Sequence, residues 1–155
     1  MTNAKILATG PIDQIAIDIL SSKGEVSIAP DGKPPSLLPL LDDVIGLVVR
    51  GDGLANAEVI DAARDLKVIG RCGVGYDQVD VAAATRRNIP LVYAPGAGAR
   101  AVAEASVALV LALAKRLSYW DREFKAGNWR SRYETKPGDL DGATLGIIGL
   151  GRIGQ

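Results

Sequence analysis

The 155 residues predict an α/β fold built on a parallel sheet, and three observations carry that reading. Apolar runs of strand length recur at 5–9, 25–29, 44–49, 67–69 and 90–93, with helical patterns between them. The run Val44-Ile45-Gly46-Leu47-Val48-Val49 contains no polar side chain, as a strand buried on both faces requires, and such strands belong to sheets covered by helices on both sides. A glycine-rich turn at 149–154 follows one further apolar run at 144–148.

Taken in order, 5–9 is a short run of strand formers closed by Gly10 and Pro11. Ile12, Ile15, Ala16, Ile19 and Leu20 then share one face of a helix that Gly24 closes. A strand over 25–29 follows. Three prolines and a glycine make 30–36 a loop, and 37–42 forms one short helical turn. After the central run, Asn56 caps a helix carrying Val59, Ile60 and Ala63, and 67–69 is apolar again. Asp80 caps a helix through Arg87, 90–93 is the next strand, and a long helix covers about 101–117. Glu104 is the single charge in the first four turns of that helix, where it matches the helix dipole; the apolar residues around it are expected to be buried against the sheet or a second domain. Both tryptophans lie in 119–141, 140–142 reads as a tight turn, and 144–148 reads as a final strand.

Composition removes several function classes. Eighteen basic residues balance eighteen acidic ones, so no net field is available to hold a polyanion and no nucleic-acid partner is expected. The longest apolar stretch, 105–114, ends at Lys115 and Arg116, short of the roughly 20 residues of a membrane span. Residues 1–10 carry no long hydrophobic region with a cleavage site, which makes a cytoplasmic location the expectation. Cys72 is the single cysteine and histidine is absent, so an internal disulfide, a Cys/His zinc site and a Ser-His-Asp triad are excluded and no metal is expected. Cys72 itself reads as a small buried hydrophobe at a strand end.

Three places carry possible chemistry. Gly149, Gly151 and Gly154 form G-x-G-x-x-G after an expected strand. In a dinucleotide site the first glycine allows the tight turn, the second admits the pyrophosphate backbone, and the third lets the following helix pack closely. Turns without a ligand, and flavin or methyl-donor enzymes, use related spacings. Gly73-Val74-Gly75 lies between a strand and the helix begun by Asp80, where successive amides can form a concave nest for a carboxylate or phosphate; an ordinary strand–helix turn satisfies the same residues. Arg50 ends the central run and should project at the carboxyl end of a parallel strand, where open α/β sheets place ligands and where a guanidinium can hold a carboxylate. An isolated arginine at that position is also compatible with a solvated surface charge.

These segments together resemble the D-isomer-specific 2-hydroxyacid dehydrogenases, particularly the phosphoglycerate dehydrogenase branch. The resemblance lies in Gly46-Leu47-Val48-Val49-Arg50, Leu66-Lys67-Val68-Ile69-Gly70-Arg71-Cys72-Gly73-Val74-Gly75-Tyr76-Asp77, Ala94-Pro95-Gly96, Val102-Ala103-Glu104 and the run from Leu140 to Gly154. It implies a flavodoxin-like parallel-sheet substrate domain over 1–98 and the start of a Rossmann nucleotide-binding domain over 99–155, both incomplete. It implies hydride transfer between a D-2-hydroxy or 2-oxo acid, 3-phosphoglycerate among the substrates considered, and NAD, with NADP not excluded because the discriminating residue lies beyond Gln155. Arg50, Val74 and Gly75 would meet the substrate. Val74, Val102, Gly149, Gly151, Arg152, Ile153 and Gly154 would meet the cofactor. The family often has Asn where Gly98 stands and His where Ala105 stands, which leaves local contacts open. Its catalytic arginine, acid and histidine lie downstream of the glycine turn, so no catalytic residue maps here and the chain alone is expected to be inactive.

A second reading is a non-catalytic anion-binding or interaction module that keeps the 73–75 nest and pairs through the 101–117 helix. In either reading, a nucleotide domain that reaches only its first turn leaves the apolar faces of 101–117 and 145–148 without partners, and a homo-oligomer or aggregate is expected.

Overall fold

Five short segments exchange backbone hydrogen bonds in one all-parallel sheet: β1 (Lys5–Ala8), β2 (Glu25–Ile28), β3 (Val44–Val49), β4 (Val68–Arg71) and β5 (Leu91–Tyr93), in the order β2-β1-β3-β4-β5. The computed structural model describes residues 4–155. The central strand β3 pairs with β1 on one side and β4 on the other, and none of its residues is exposed. That explains why its sequence tolerates no polar side chain. The order turns back between β1 and β3, which is the flavodoxin-like arrangement, and parallel pairing brings the carboxyl ends of all five strands to one edge.

Helices α1 (Gln14–Ser21), α2 (Pro34–Leu37), α3 (Ala57–Ala62) and α4 (Val81–Arg86) connect the strands, with a 3-10 turn at Leu38–Leu40. Their starts are local chemistry. Asn56 accepts from the Val59 amide at 3.0 Å and Asp80 from the Ala83 amide at 2.8 Å, each capping donors that a first helical turn leaves unpaired. Pro34 and Pro35 open α2, because a missing amide hydrogen costs nothing at the first helical positions; the expected 30–36 loop therefore closes at Lys33. The core joins Leu7, Leu47, Val49 and Ile69 of the sheet to Leu37, Val59, Ile60, Ala83 and Ala84 of the helices. Helix α1 buries no residue, and Ile15 and Ile19 of its expected apolar stripe are exposed. Arg87 ties the end of α3 down, donating to the carbonyls of Ile60, Ala63 and Arg64.

The chain divides into two compact units, one running through Ala97 and the other spanning Gly98–Gln155. The second unit holds α5 (Ala99–Ala114), α6 (Leu117–Lys125) and α7 (Ser131–Glu134). Arg116, at φ 53°, breaks the expected 101–117 helix and starts α6, which together with α7 fills a region that sequence patterning left unassigned. Tyr119 meets Trp120 edge-on, Trp120 stacks on Phe124 and Phe124 packs tilted against Trp129, and the Gly138 amide donates to Ala114 O at 2.8 Å. Glu104 pairs with Arg100 one turn earlier at 2.9 Å.

Three expectations are corrected. Helix α5 buries no residue, and Leu109 and Leu113 are 65% and 80% exposed, which overturns burial against the sheet or a second domain and agrees with an apolar face left without partners. Residues 144–148 form no strand: a parallel strand exists only by pairing with a neighbour, and none is paired with this segment among the described residues. Cys72 is exposed, because the chain leaves the sheet there for the glycine loop. Among the described residues no helix is long and apolar enough to cross a membrane.

Burial separates the two units energetically. Leu47→Ala should cost about 3 kcal/mol in urea unfolding, as truncation of a packed core leucine does. Leu109→Ala should stay within about 0.5 kcal/mol; a loss as large as that of Leu47 would mean that α5 is covered in solution. With so much apolar surface on α5, sedimentation should show concentration-dependent association, and a clean monomer at all concentrations would contradict it.

Candidate functional site

The carboxyl edge of the sheet is shaped by close backbone approaches. Thr9, just past β1 and 1% exposed, accepts from the Arg50 amide at 3.0 Å, and the Arg50 carbonyl accepts from the Gly53 amide at 3.0 Å. A Cβ on Gly53 would stand 2.0 Å from Thr9 Oγ1, and one on Gly32 would stand 2.3 Å from the Gly53 Cα. Only glycine fits at these crossings. The loops after β1, β2 and β3 thereby enclose a cleft of about 370 Å³ lined by Thr9, Pro30, Gly32, Lys33, Arg50 and Asp52 among others. It sits at the strand-order reversal between β1 and β3, where doubly wound sheets bind ligands. Asp31 is already committed: its carboxylate accepts from the Lys33 amide at 2.9 Å and from Ser36 Oγ at 3.0 Å, and these two bonds hold it below the ordinary aspartate pKa.

Arg50 stands where its sequence position placed it, exposed at the end of β3 and facing this cleft. Val74 and Gly75 lie in the loop between β4 and α4. Gly73 has φ 151°, a backbone region closed to side chains, and its amide is taken by the Arg71 carbonyl at 2.9 Å. The amides of Val74, Gly75, Tyr76, Asp77 and Gln78 donate to no protein acceptor among the described residues, so those of Val74 and Gly75 are two adjacent members of a run of open donors.

The residue that unites these loops is Arg71, to which sequence reasoning gave no role. All five of its N–H donors are engaged. Nε donates to Gly75 O at 2.9 Å; Nη1 to Val49 O at 3.3 Å and Cys72 O at 3.0 Å; Nη2 to Gly51 O at 3.1 Å and Gln78 Oε1 at 3.4 Å. A planar fork with five fixed donors can brace several carbonyls at once in a way that lysine cannot. One guanidinium thus holds the loop after Arg50 beside the loop of Val74 and Gly75. The available signal was an arginine at a strand end followed by a glycine loop whose carbonyls have no helix or sheet partners.

In the second unit, Gly149 has φ 93°, and a Cβ on Gly154 would stand 2.2 Å from Gly149 O. The Gln155 amide donates to Gly151 O at 3.1 Å, closing a first helical turn. Around Gly151 the space is open, and the amides of Gly151, Arg152, Ile153 and Gly154 donate to no protein acceptor among the described residues. Val102 is half-exposed on the first turns of α5. No three of His, Cys, Asp and Glu converge as a metal site among the described residues.

A five-stranded parallel sheet in the order β2-β1-β3-β4-β5, with an arginine and a glycine loop at its carboxyl edge, defines a doubly wound α/β domain. The model of the D-isomer specific 2-hydroxyacid dehydrogenase catalytic domain matches residues 6–145, and the chain belongs to that family. It is 45% identical to D-3-phosphoglycerate dehydrogenase of Methanocaldococcus jannaschii, over 97% of this chain and 29% of that protein. It is 34% identical to hydroxypyruvate reductase of Thermotoga maritima, over 100% of this chain and 51% of that protein. Among solved structures, the NADPH-dependent glyoxylate/hydroxypyruvate reductase of Sinorhizobium meliloti in complex with NADP and malonate superposes with a TM-score of 0.82 at 28% identity, over 98% of this chain and 48% of that one. The chain therefore spans between about a third and a half of these relatives.

Arg71→Met should cost about 2 kcal/mol of stability, since several carbonyls lose a charged donor at once, and should speed amide exchange at Cys72 and Gln78. Arg71→Lys should recover little of it. Recovery by lysine would show that charge, not the fork, braces the loops.

Proposed function

We propose that the chain is the front portion of an NAD-dependent D-2-hydroxyacid dehydrogenase, with 1–98 its substrate domain and 99–155 the start of its nucleotide domain. The observation that carries this reading is the family match over 6–145 together with Arg50, Val74 and Gly75 standing at one edge of the sheet. The Val74 and Gly75 amides receive the substrate carboxylate, and Arg50 offsets its charge. Val74 also borders the nicotinamide end. Val102 and the turn of Gly149, Gly151, Arg152, Ile153 and Gly154 receive the cofactor, the turn through its amides. When bound, the nicotinamide accepts or gives the hydride; this chain's part is to orient the acid and hold the pyrophosphate. With curated relatives 45% and 41% identical to this chain named D-3-phosphoglycerate dehydrogenase, 3-phosphoglycerate is the first substrate to test. NAD is the cofactor to test first and NADP the second, the Sinorhizobium meliloti reductase being NADPH-dependent.

Adding D-glycerate should shift the amide resonances of Val74 and Gly75 in nuclear magnetic resonance spectra; unchanged resonances at saturating acid would end the reading. No imidazole is present to exchange the hydroxyl proton. The purified 155-residue chain given NAD and a panel of 2-hydroxy acids should therefore form no NADH, and protein-dependent NADH formation would refute its inactivity.

A further inference from the structure

Three aspartates precede a glycine in the sequence: Asp31-Gly32, Asp52-Gly53 and Asp141-Gly142. Such a pair can close on itself as a succinimide. The glycine nitrogen attacks the aspartate Cγ, a C–N bond forms and the carboxyl C–O bond breaks, and the hydroxyl leaves with the amide proton as water. Water then reopens the ring. Entry at the Cγ carbonyl restores aspartate, whereas entry at the main-chain carbonyl leaves the chain running through Cγ as isoaspartate, with the α-carboxylate free. Water is released and taken up again, and nothing is oxidised or reduced. Glycine favours the step because it has no side chain to shield its nitrogen or to restrain the rotation that brings nitrogen to Cγ. The fold decides the rest: the carboxyl group must be free, the amide must lack an acceptor, and the peptide between them must be able to turn.

Two of the pairs are held. Both carboxylate oxygens of Asp31 are engaged, one by the Lys33 amide at 2.9 Å and the other by Ser36 Oγ at 3.0 Å. Gly32 O accepts from the Leu54 amide at 2.9 Å, and Gly32 packs against Gly53 too closely to admit a Cβ. The Asp52 carboxylate is free, but the Gly53 amide that would attack it donates to Arg50 O at 3.0 Å, and Gly53 is buried against Thr9. Turning either peptide would break bonds along the edge of the sheet. Asp141-Gly142 differs on each count. Asp141 is exposed, and its carboxylate has no hydrogen-bond or ion-pair partner among the described residues. The Gly142 amide has no acceptor among them, and a Cβ on Gly142 would meet nothing within 4 Å. One backbone bond spans the pair, from the Ala143 amide to Leu140 O at 3.0 Å, and every residue from Leu140 to Ala143 is exposed.

We propose that Asp141-Gly142 is the site at which this chain isomerises to isoaspartate, while the fold protects Asp31-Gly32 and Asp52-Gly53. The product carries an extra methylene in the main chain just ahead of Thr144, on the stretch that leads to Gly149. It does so whatever acid or cofactor the chain binds.

The 155-residue chain is aged at neutral pH, once in buffer and once in concentrated urea, and mapped by mass spectrometry with electron-transfer fragmentation, which separates isoaspartate from aspartate. In the native chain isoaspartate at 141 should exceed that at 52, and that at 31, by at least about fivefold, the rate effect of a hydrogen bond that must first be broken. In urea the three sites should converge, because the protection at 31 and 52 is lost with the fold. Asp141→Glu, which closes only a larger and slower ring, should abolish the signal at 141 and leave the other two sites unchanged. Equal accumulation at the three sites of the native chain would overturn the proposal, as would none at 141. A preference for 141 that persists undiminished in urea would trace it to the neighbouring sequence instead of the fold and overturn it as well.

Discussion

Burial of Val44–Val49 between two neighbouring strands is the constraint on which the first unit depends. A strand with no exposed residue must satisfy every backbone group through its partners, so β1 and β4 are held in register beside it. Parallel pairing then delivers Thr9, Arg50 and Cys72 to one edge, each at the point where a strand gives way to a loop. The edge is where the polar chemistry collects because the strand interiors have no room for it.

A second layer of order comes from single polar side chains that satisfy loop backbone. Thr9 is buried and returns its hydroxyl to the Arg50 backbone. Arg71 does the same on a larger scale, exhausting its donors on carbonyls of the neighbouring loops. These contacts brace the loop while the amides of Val74, Gly75, Tyr76, Asp77 and Gln78 remain without a protein acceptor among the described residues. Preorganised donors bind an anion without having to be gathered at the moment of binding.

Much of the first unit was legible because its signals are local. Asn56 and Asp80 cap helices within three residues of themselves, and the apolar run of β3 needs no knowledge of its neighbours to be read as buried. The misreadings all depended on distant partners. Residues 144–148 have strand composition but no strand to pair with among the described residues, and α5 has core composition but no covering layer there. The exposure of Cys72 follows from the path of the glycine loop, which a pattern of residue types does not reveal. Arg50, Val74 and Gly75 could be singled out from their place after strands, whereas the work of Arg71 is visible only once the carbonyls it reaches are assembled around it. The context expected for Gly149 to Gly154 did not form, so membership of the family rests on the match along the chain rather than on that fingerprint.

The crossing of Gly32 over Gly53, and of Gly53 over Thr9, has an evolutionary consequence. Three chain segments meet there with less than the width of a methyl group to spare, so neither insertions nor bulkier residues can reroute them without prising the edge apart. A descendant of this chain must leave that scaffold alone and edit the side chains hung from it, trading charge and length at a few positions while the backbone path stays fixed.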